Sequence, residues 1–406
     1  MATVQPFCAL RPVPEQAATV ASVPYDVIST QEARAMATGK PDSFLHIIRP
    51  EIDLPEGIDE HDAAVYEKGA ENLRRYAERA ISLQEETPSL YVYRLVMDGR
   101  AQTGLFGCVA VAEYDDGTIR KHEKTRPDKE DDRTRHILTQ RAHAEPVMLT
   151  YRDVEAVDQR ILRVQDGAPL YDFTADDGVR HTIWRAVDPQ PFVDAFATVE
   201  KLYVADGHHR CKAASRVAEA LRDVGTDGQP PAFAFFPAVL FPMSQMRLLP
   251  YNRIVYRLPA SPDAFLEALA GVGDLEAGIP ALHPTRPGEV CLYLQGQWHR
   301  FALPETRRPT VADRLDVARL SEWVLEPLLH STDPRTDPNI DFVGGIRGTA
   351  ALERRVDAGT AALAIALYPT RIEELVDVSE AGLLMPPKST WFEPKLRSGL
   401  LVHLFW

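Results

Sequence analysis

Cysteine is scarce: only Cys8, Cys108, Cys211 and Cys291 occur in 406 residues, and none has a partner at zinc-knuckle or CxxC spacing. That excludes a disulfide framework and a thiolate zinc site, and leaves buried free thiols as the expectation. Long apolar runs are missing too. No segment approaches the roughly 20 residues that span a bilayer, and Met1 to Pro12 lacks the charged and apolar regions of a signal peptide. A cytoplasmic protein without a membrane partner is expected. Basic charge is in deficit, with 45 Lys and Arg against 59 Asp and Glu and a net charge of −14. Such a field opposes duplex DNA and anionic lipid, although a local basic cleft stays open. GxxxxGK[ST], GxGxxG and GxSxG are all absent, which argues against a P-loop, a Rossmann turn and a hydrolase elbow.

What is present is material for a core, with 45% apolar and 26% charged residues. Thirty-two prolines mark frequent stops, among them Pro50 to Gly57, Gly225 to Pro231 and Pro280 to Pro287. Strand and helix patterns mix between the stops. The expected fold is α+β, a mixed sheet with surrounding helices. Two domains are expected, 1–255 and 256–406, with the terminal segment free to return to the cleft of the first.

Several elements can be read directly. Val65, Leu73, Tyr76 and Ile81 predict a helix over Asp62 to Leu83. Leu90 to Met97 and Thr103 to Tyr114 read as strands joined at Asp98-Gly99. Val147 to Tyr151 and Ala361 to Leu367 read as strands, and Thr134 to His143 as a short helix. Pro231 to Phe241 is an apolar strand whose Pro237 predicts an edge or a bulge. Asp316 to Leu329 reads as a helix broken late by Pro327. Ser29 to Glu32 suits a helix start. Asp26 is read either as a cleft residue or as that helix's cap. His46 lies in the apolar run Phe44 to Arg49, where it would face a pocket from a strand or be a satisfied core histidine.

The densest chemistry lies in Tyr203-Val204-Ala205-Asp206-Gly207-His208-His209-Arg210. A strand from Leu202 that breaks at Asp206-Gly207 and opens into a helix exposes backbone N–H groups, and the helix dipole favours phosphate there. Gly207, His208, His209 and Arg210 are candidate phosphate ligands. Asp206, His208 and His209 are candidate catalytic groups, and Asp206 is a candidate for magnesium. The competing reading makes Asp206 a helix cap and the histidines ordinary surface residues. Zinc on His208 and His209 is disfavoured because adjacent helical residues diverge.

Arg120 to Arg135 carries seven basic and five acidic side chains and reads as a charged loop. Glu123 is a candidate base or magnesium ligand, and Lys124 and Arg126 candidates to neutralise phosphate. Near the end, Lys388, Ser389 and Thr390 offer anion donors within a proline-rich loop from Leu383 to Phe392. A structural clasp through Trp391 and Phe392 is the alternative there.

In this order, Val23 to Ile28, His122 to Thr125 with Arg133, Asp206 to Arg210, and Pro387 to Lys395 resemble the bacterial and archaeal domain-of-unknown-function family 1015, over essentially the whole chain. Asp206-Gly207-His208-His209-Arg210 is also similar to the DGHHR turn of free-serine kinases in the ParB–sulfiredoxin superfamily. That resemblance implies a ParB/sulfiredoxin-like nucleotide-binding core and phosphate transfer from ATP or ADP, with Mg, to a small hydroxylated acceptor such as free L-serine. Lys124, Arg253 and Lys388 would offset charge on phosphate or substrate carboxylate. Asn252 stands where the family carries a His before this Arg, so proton shuttling is not expected at that position. A nucleotide-binding regulator or switch without small-molecule turnover is the alternative, and a homo-oligomer is left open.

Overall fold

The structure, a computed structural model, describes residues 1–224, 228, 230–280 and 283–406. The breaks expected at Gly225 to Pro231 and Pro280 to Pro287 lie partly outside the described residues. The chain forms two compact units. The first comprises Met1–Lys121, Thr125–Met246 and Pro394–Trp406, the second His122–Lys124 and Arg247–Glu393. Both are α+β with antiparallel or mixed sheets, as the patterning predicts.

The first unit is built on a nine-stranded mixed sheet among the described residues. Strand Leu202–Asp206 lies between Ile119–Arg120, parallel to it, and Val147–Tyr151, antiparallel. Phe235–Pro242 runs parallel to Val147–Tyr151 and antiparallel to Arg100–Ala110, which turns through Asp98-Gly99 into Leu90–Met97. Asp98 and Gly99 both have positive φ, the backbone a two-residue hairpin turn requires. Leu105, Leu149, Val204 and Leu240 fill one face with Cys211 and Ala214 of the helix His208–Ala220. Small residues let that helix sit close to the sheet. A four-stranded sheet places Val402–Leu404 between Ala9–Pro12 and Ala142–His143.

Pro237 does not make its strand an edge. The parallel ladder begins only at Ala238, so at Pro237 the strand has a neighbour on one side and the missing N–H interrupts no second ladder. The strand expected to reach Tyr114 stops at Ala110, and Val111–Asp115 forms a helical turn that buries Val111 and Tyr114 three residues apart. Phe44 to Arg49 is not a strand: Leu45–Ile48 is helical, and Leu45, Ile47 and Ile48 are all buried. A run buried on every side carries no alternation to distinguish the two. Helix Asp62 to Leu83 ends earlier, at Ala77, because Ser82–Gln84 pairs with Ala9–Pro12. The charged loop after Arg120 is a helix from Pro127 to Gln140, started by proline at its first position with Asp128 and Glu130 in its first turn.

The second unit carries a six-stranded sheet among the described residues. Leu363–Leu367 lies at its centre between Glu289–Leu294 and Tyr251–Val255, all antiparallel. Ile254, Cys291, Ala364 and Ala366 pack with Leu352 beneath it. In Asp316 to Leu329 a π turn over Ser321–Leu325 separates two α segments. Pro327 is the second residue of the last segment, directly after the wider spacing of the π turn. Trp391–Phe392 pairs with Leu248–Leu249, and the Trp391 ring lies 2.8 Å from where a Cβ on Gly344 would stand. The clasp predicted from Trp391 and Phe392 is therefore structural within this unit.

Candidate functional site

In the first unit, the ladder between Leu202–Asp206 and Val147–Tyr151 shifts register between Val204 and Asp206. A bulge there re-aims the strand's last side chain. Gly207 follows at φ +103, the N-cap of the helix His208–Ala220. Gly207 has no side chain with which to cap that helix, and its first turn has no acidic residue. Asp206 is therefore not the cap, and the positive end of the helix dipole is not offset by its own first turn.

Asp206 instead accepts a hydrogen bond from Lys395 Nζ at 3.1 Å, and its Oδ2 lies 3.9 Å from Arg210 Nη2. Burial would raise this carboxyl, but Lys395 and Arg210 hold it well below the usual carboxylate range. Such a group stays ionised and is a poor proton acceptor near neutral pH. His208 is 4% exposed, and burial pushes it down to about 3, so the imidazole is neutral at physiological pH. His209 is half-buried, and its Nε2 accepts the Arg126 backbone N–H at 3.1 Å.

Arg210 is turned inward. It is 7% exposed, donates from Nη1 to the Pro146 carbonyl, and has Nη2 3.8 Å from Asp26 Oδ2. Burial alone would lower its pKa, yet Asp26, Asp206 and Glu145 together raise it. Its guanidinium lies beneath Gly207, with Cζ and Nε 3.1 Å from where a Cβ would stand. A Cβ at this position would press the guanidinium aside by a few tenths of an ångström.

The surrounding shell is ionic and buried. Arg133 sits 3.9 Å over the Tyr25 ring, bonds Asp132 at 2.7 Å and reaches Glu145 at 3.7 Å. Glu145 also accepts from the Tyr25 backbone N–H at 3.1 Å. Asp26 is not a helix cap. Ser29 caps Thr30–Ala37 in a reciprocal pair with Glu32, and Asp26 faces Arg210. Glu145 and Lys395 were not singled out from the sequence. Glu145 had no motif signal, whereas Lys395 closed the proline-rich motif and could have been found there. His46 is helical and bonds Asp53 at 2.7 Å, away from any of these groups in the pattern of bonds.

The other candidates belong to the second unit. His122 is buried, with Nε2 3.4 Å from Thr390 Oγ1 and its carbonyl accepting from the Met385 N–H. Beside it Glu123 is half-buried and Lys124 exposed. Arg253 is 3% exposed. It donates to the carbonyls of Tyr251 at 2.6 Å and Lys388 at 3.2 Å and stacks 4.5 Å over Phe342. Lys388 lies over the Tyr251 ring at 5.4 Å, so this unit does bring Arg253 and Lys388 together. Asn252 is buried and accepts from the Leu367 N–H. That is a backbone-satisfying role without titration.

Among the described residues no helix is long and apolar enough to cross a membrane. The fold and turn describe an α+β protein with a glycine-opened helix start beside a buried ionic shell. The chain belongs to the DUF1015 family, a protein family of unknown function, whose model matches residues 4–318. A comparison with curated proteins finds no match. Among solved structures it is similar to a free serine kinase in complex with AMP, at 11% identity and a TM-score of 0.37, covering 73% of this chain and 91% of that one. It is also similar to SbnI with a C-terminal truncation from Staphylococcus aureus, at 12% identity and a TM-score of 0.38, over 74% and 87%. A conserved hypothetical protein from Pyrococcus furiosus matches at 11% and 0.35, over 73% and 95%. At such scores the likenesses carry no weight for what this chain does.

Proposed function

We propose that the Asp206–Arg210 turn binds the phosphates of ATP or ADP and that the protein transfers a phosphoryl group to a small hydroxylated acceptor, free L-serine being the first candidate. The observation that carries this reading is the glycine at the helix start: Gly207, at φ +103, offers no capping side chain to the helix His208–Ala220. Backbone N–H groups and a helix dipole suit phosphate. Phosphoryl transfer asks chiefly for alignment and charge stabilisation.

Magnesium takes carboxylate oxygens and keeps part of its water shell. The donor set fits: Asp206 is ionised and a quarter exposed, and Asp26 stands on the same arginine. When bound, the ion would offset charge on the phosphates. Asp206 would then orient, not deprotonate. The depressed carboxyl at Asp206 also favours a second reading, a nucleotide-binding regulator without turnover, since a binding turn needs no base.

The deciding assay supplies ATP or ADP with magnesium and a panel of free hydroxy amino acids and small alcohols. Phosphorylated acceptor above an enzyme-free control is expected. Nucleotide binding with no product across the panel would favour the regulator and overturn the kinase.

A further inference from the structure

With Arg210 turned inward, His208 buried and His209 Nε2 accepting from the Arg126 backbone, the turn has no outward cation of its own to meet phosphate. The first unit supplies one from the far end of the chain. Lys395 reaches Asp206 at 3.1 Å with its side chain 12% exposed. The segment that carries it is tied at several points. Ser398 and Ser22 exchange backbone bonds of 3.1 and 2.9 Å, and Ser398 Oγ donates to Glu145 at 3.3 Å. Arg397 pairs with Asp177 and its backbone N–H donates to the Tyr93 hydroxyl at 3.4 Å. Gly399, at φ +88, lies against Phe44 where a Cβ would be 2.5 Å from the ring. These ties position the lysine before any ligand arrives.

An independent feature marks the same spot as incomplete. Arg210 Nε is buried with no hydrogen-bond partner among the described residues, 3.1 Å from where a Cβ on Gly207 would stand. A lysine alone would be explained as the counter-ion of Asp206. A lysine tied in place on Asp206, next to a helix start that Gly207 cannot cap and an arginine with an unsatisfied buried N–H, is better explained by an anionic ligand.

We propose that Lys395 is the ligand-binding cation of the Asp206–Arg210 turn, contacting a phosphate group of a di- or triphosphate while Asp206 aims it. An ammonium carries three donors and can bridge a carboxylate and a phosphate. This rests on the phosphate reading of the turn above.

The test titrates the full chain with ADP and separately with inorganic pyrophosphate by calorimetry, for the natural sequence, Lys395→Met and Lys395→Arg. A charge-assisted bond of this kind corresponds to about 10- to 100-fold in affinity, so Lys395→Met is expected to lose that much and Lys395→Arg to regain a large part. Equal binding by Lys395→Met would overturn the proposal and leave the phosphate reading standing. Pyrophosphate binding that depends on Lys395, without ADP binding, would keep the proposal and overturn the nucleotide reading. Binding of neither by the natural chain would overturn both. Should Lys395→Met fail to fold, acetylation of Lys395 in the natural chain is followed by mass spectrometry. Protection by pyrophosphate is expected, and unchanged labelling would overturn the proposal.

Discussion

Arg210 of the first unit and Arg253 of the second are both almost fully buried, yet their surroundings are opposite. Arg210 faces Asp26, Asp206 and Glu145, and these carboxylates raise its pKa against the cost of burial. Arg253 has two carbonyls and an aromatic face, and burial pulls it down to about 10. A buried charge with carboxylate partners becomes part of the frame, because removing it strands their charges. A buried charge held only by carbonyls and a ring is less costly to remove. The same residue type therefore says little about role until its partners are known.

The contrast between the units extends to pH, and there the effect should be largest. In the first unit burial lowers His136, His143, His181 and His208, the last two to about 3. As pH falls below about 6.5 the unfolded chain takes up protons these imidazoles refuse, so the first unit should lose more than ~3 kcal/mol by about pH 4. In the second unit burial raises Asp316 to about 6. Between about pH 6 and 4 its native form holds a proton that the unfolded chain releases, so Asp316 adds roughly 2–3 kcal/mol as pH falls. Native-state hydrogen exchange of Leu202–Asp206 and Leu363–Leu367 reads the two. Protection that falls equally in both from pH 6.5 to 4, unaltered by Asp316→Asn, would break the contrast.

Charge deletion comes next. Arg210→Met should cost about 3 kcal/mol in urea unfolding, since Asp26 loses its cation and Asp206 and Glu145 are left with only Lys395 and Arg133. Gly207→Ala should cost about 1–2 kcal/mol, from a backbone at φ +103 and contact with Arg210, and should weaken nucleotide binding in the same titration. Arg253→Met should change stability by less than ~1 kcal/mol, because the lost bonds to two carbonyls are offset by relief of an unpaired buried charge. A cost for Arg253→Met equal to that of Arg210→Met would remove the distinction between them.

Local chemistry was legible where one residue dictates one geometry. Asp98-Gly99 forms its hairpin, Ser29 and Glu32 form their box, and Asp206-Gly207 ends the strand and opens the helix. Pro127 could have been read as a helix start and was missed within a run of charges. The run Phe44 to Arg49 could not be assigned by pattern, since burial on all sides erases periodicity. At the candidate site the turn and its glycine were legible, but the direction of Arg210 was not. An arginine side chain can turn toward a ligand or inward, and the choice depends on Asp26 and Glu145, which are more than 60 residues away in sequence.

By itself the sequence determined the α+β composition, the turn with its left-handed glycine, the free thiols and the family, because these depend on local sterics, on composition or on motifs in order. Only the tertiary structure decided that Arg210 belongs to the frame and that Pro394–Trp406 returns to the first unit, bringing Lys395 to Asp206. Charges pair through space, and which carboxylate meets which cation follows from how the strands and their bulges bring distant segments together.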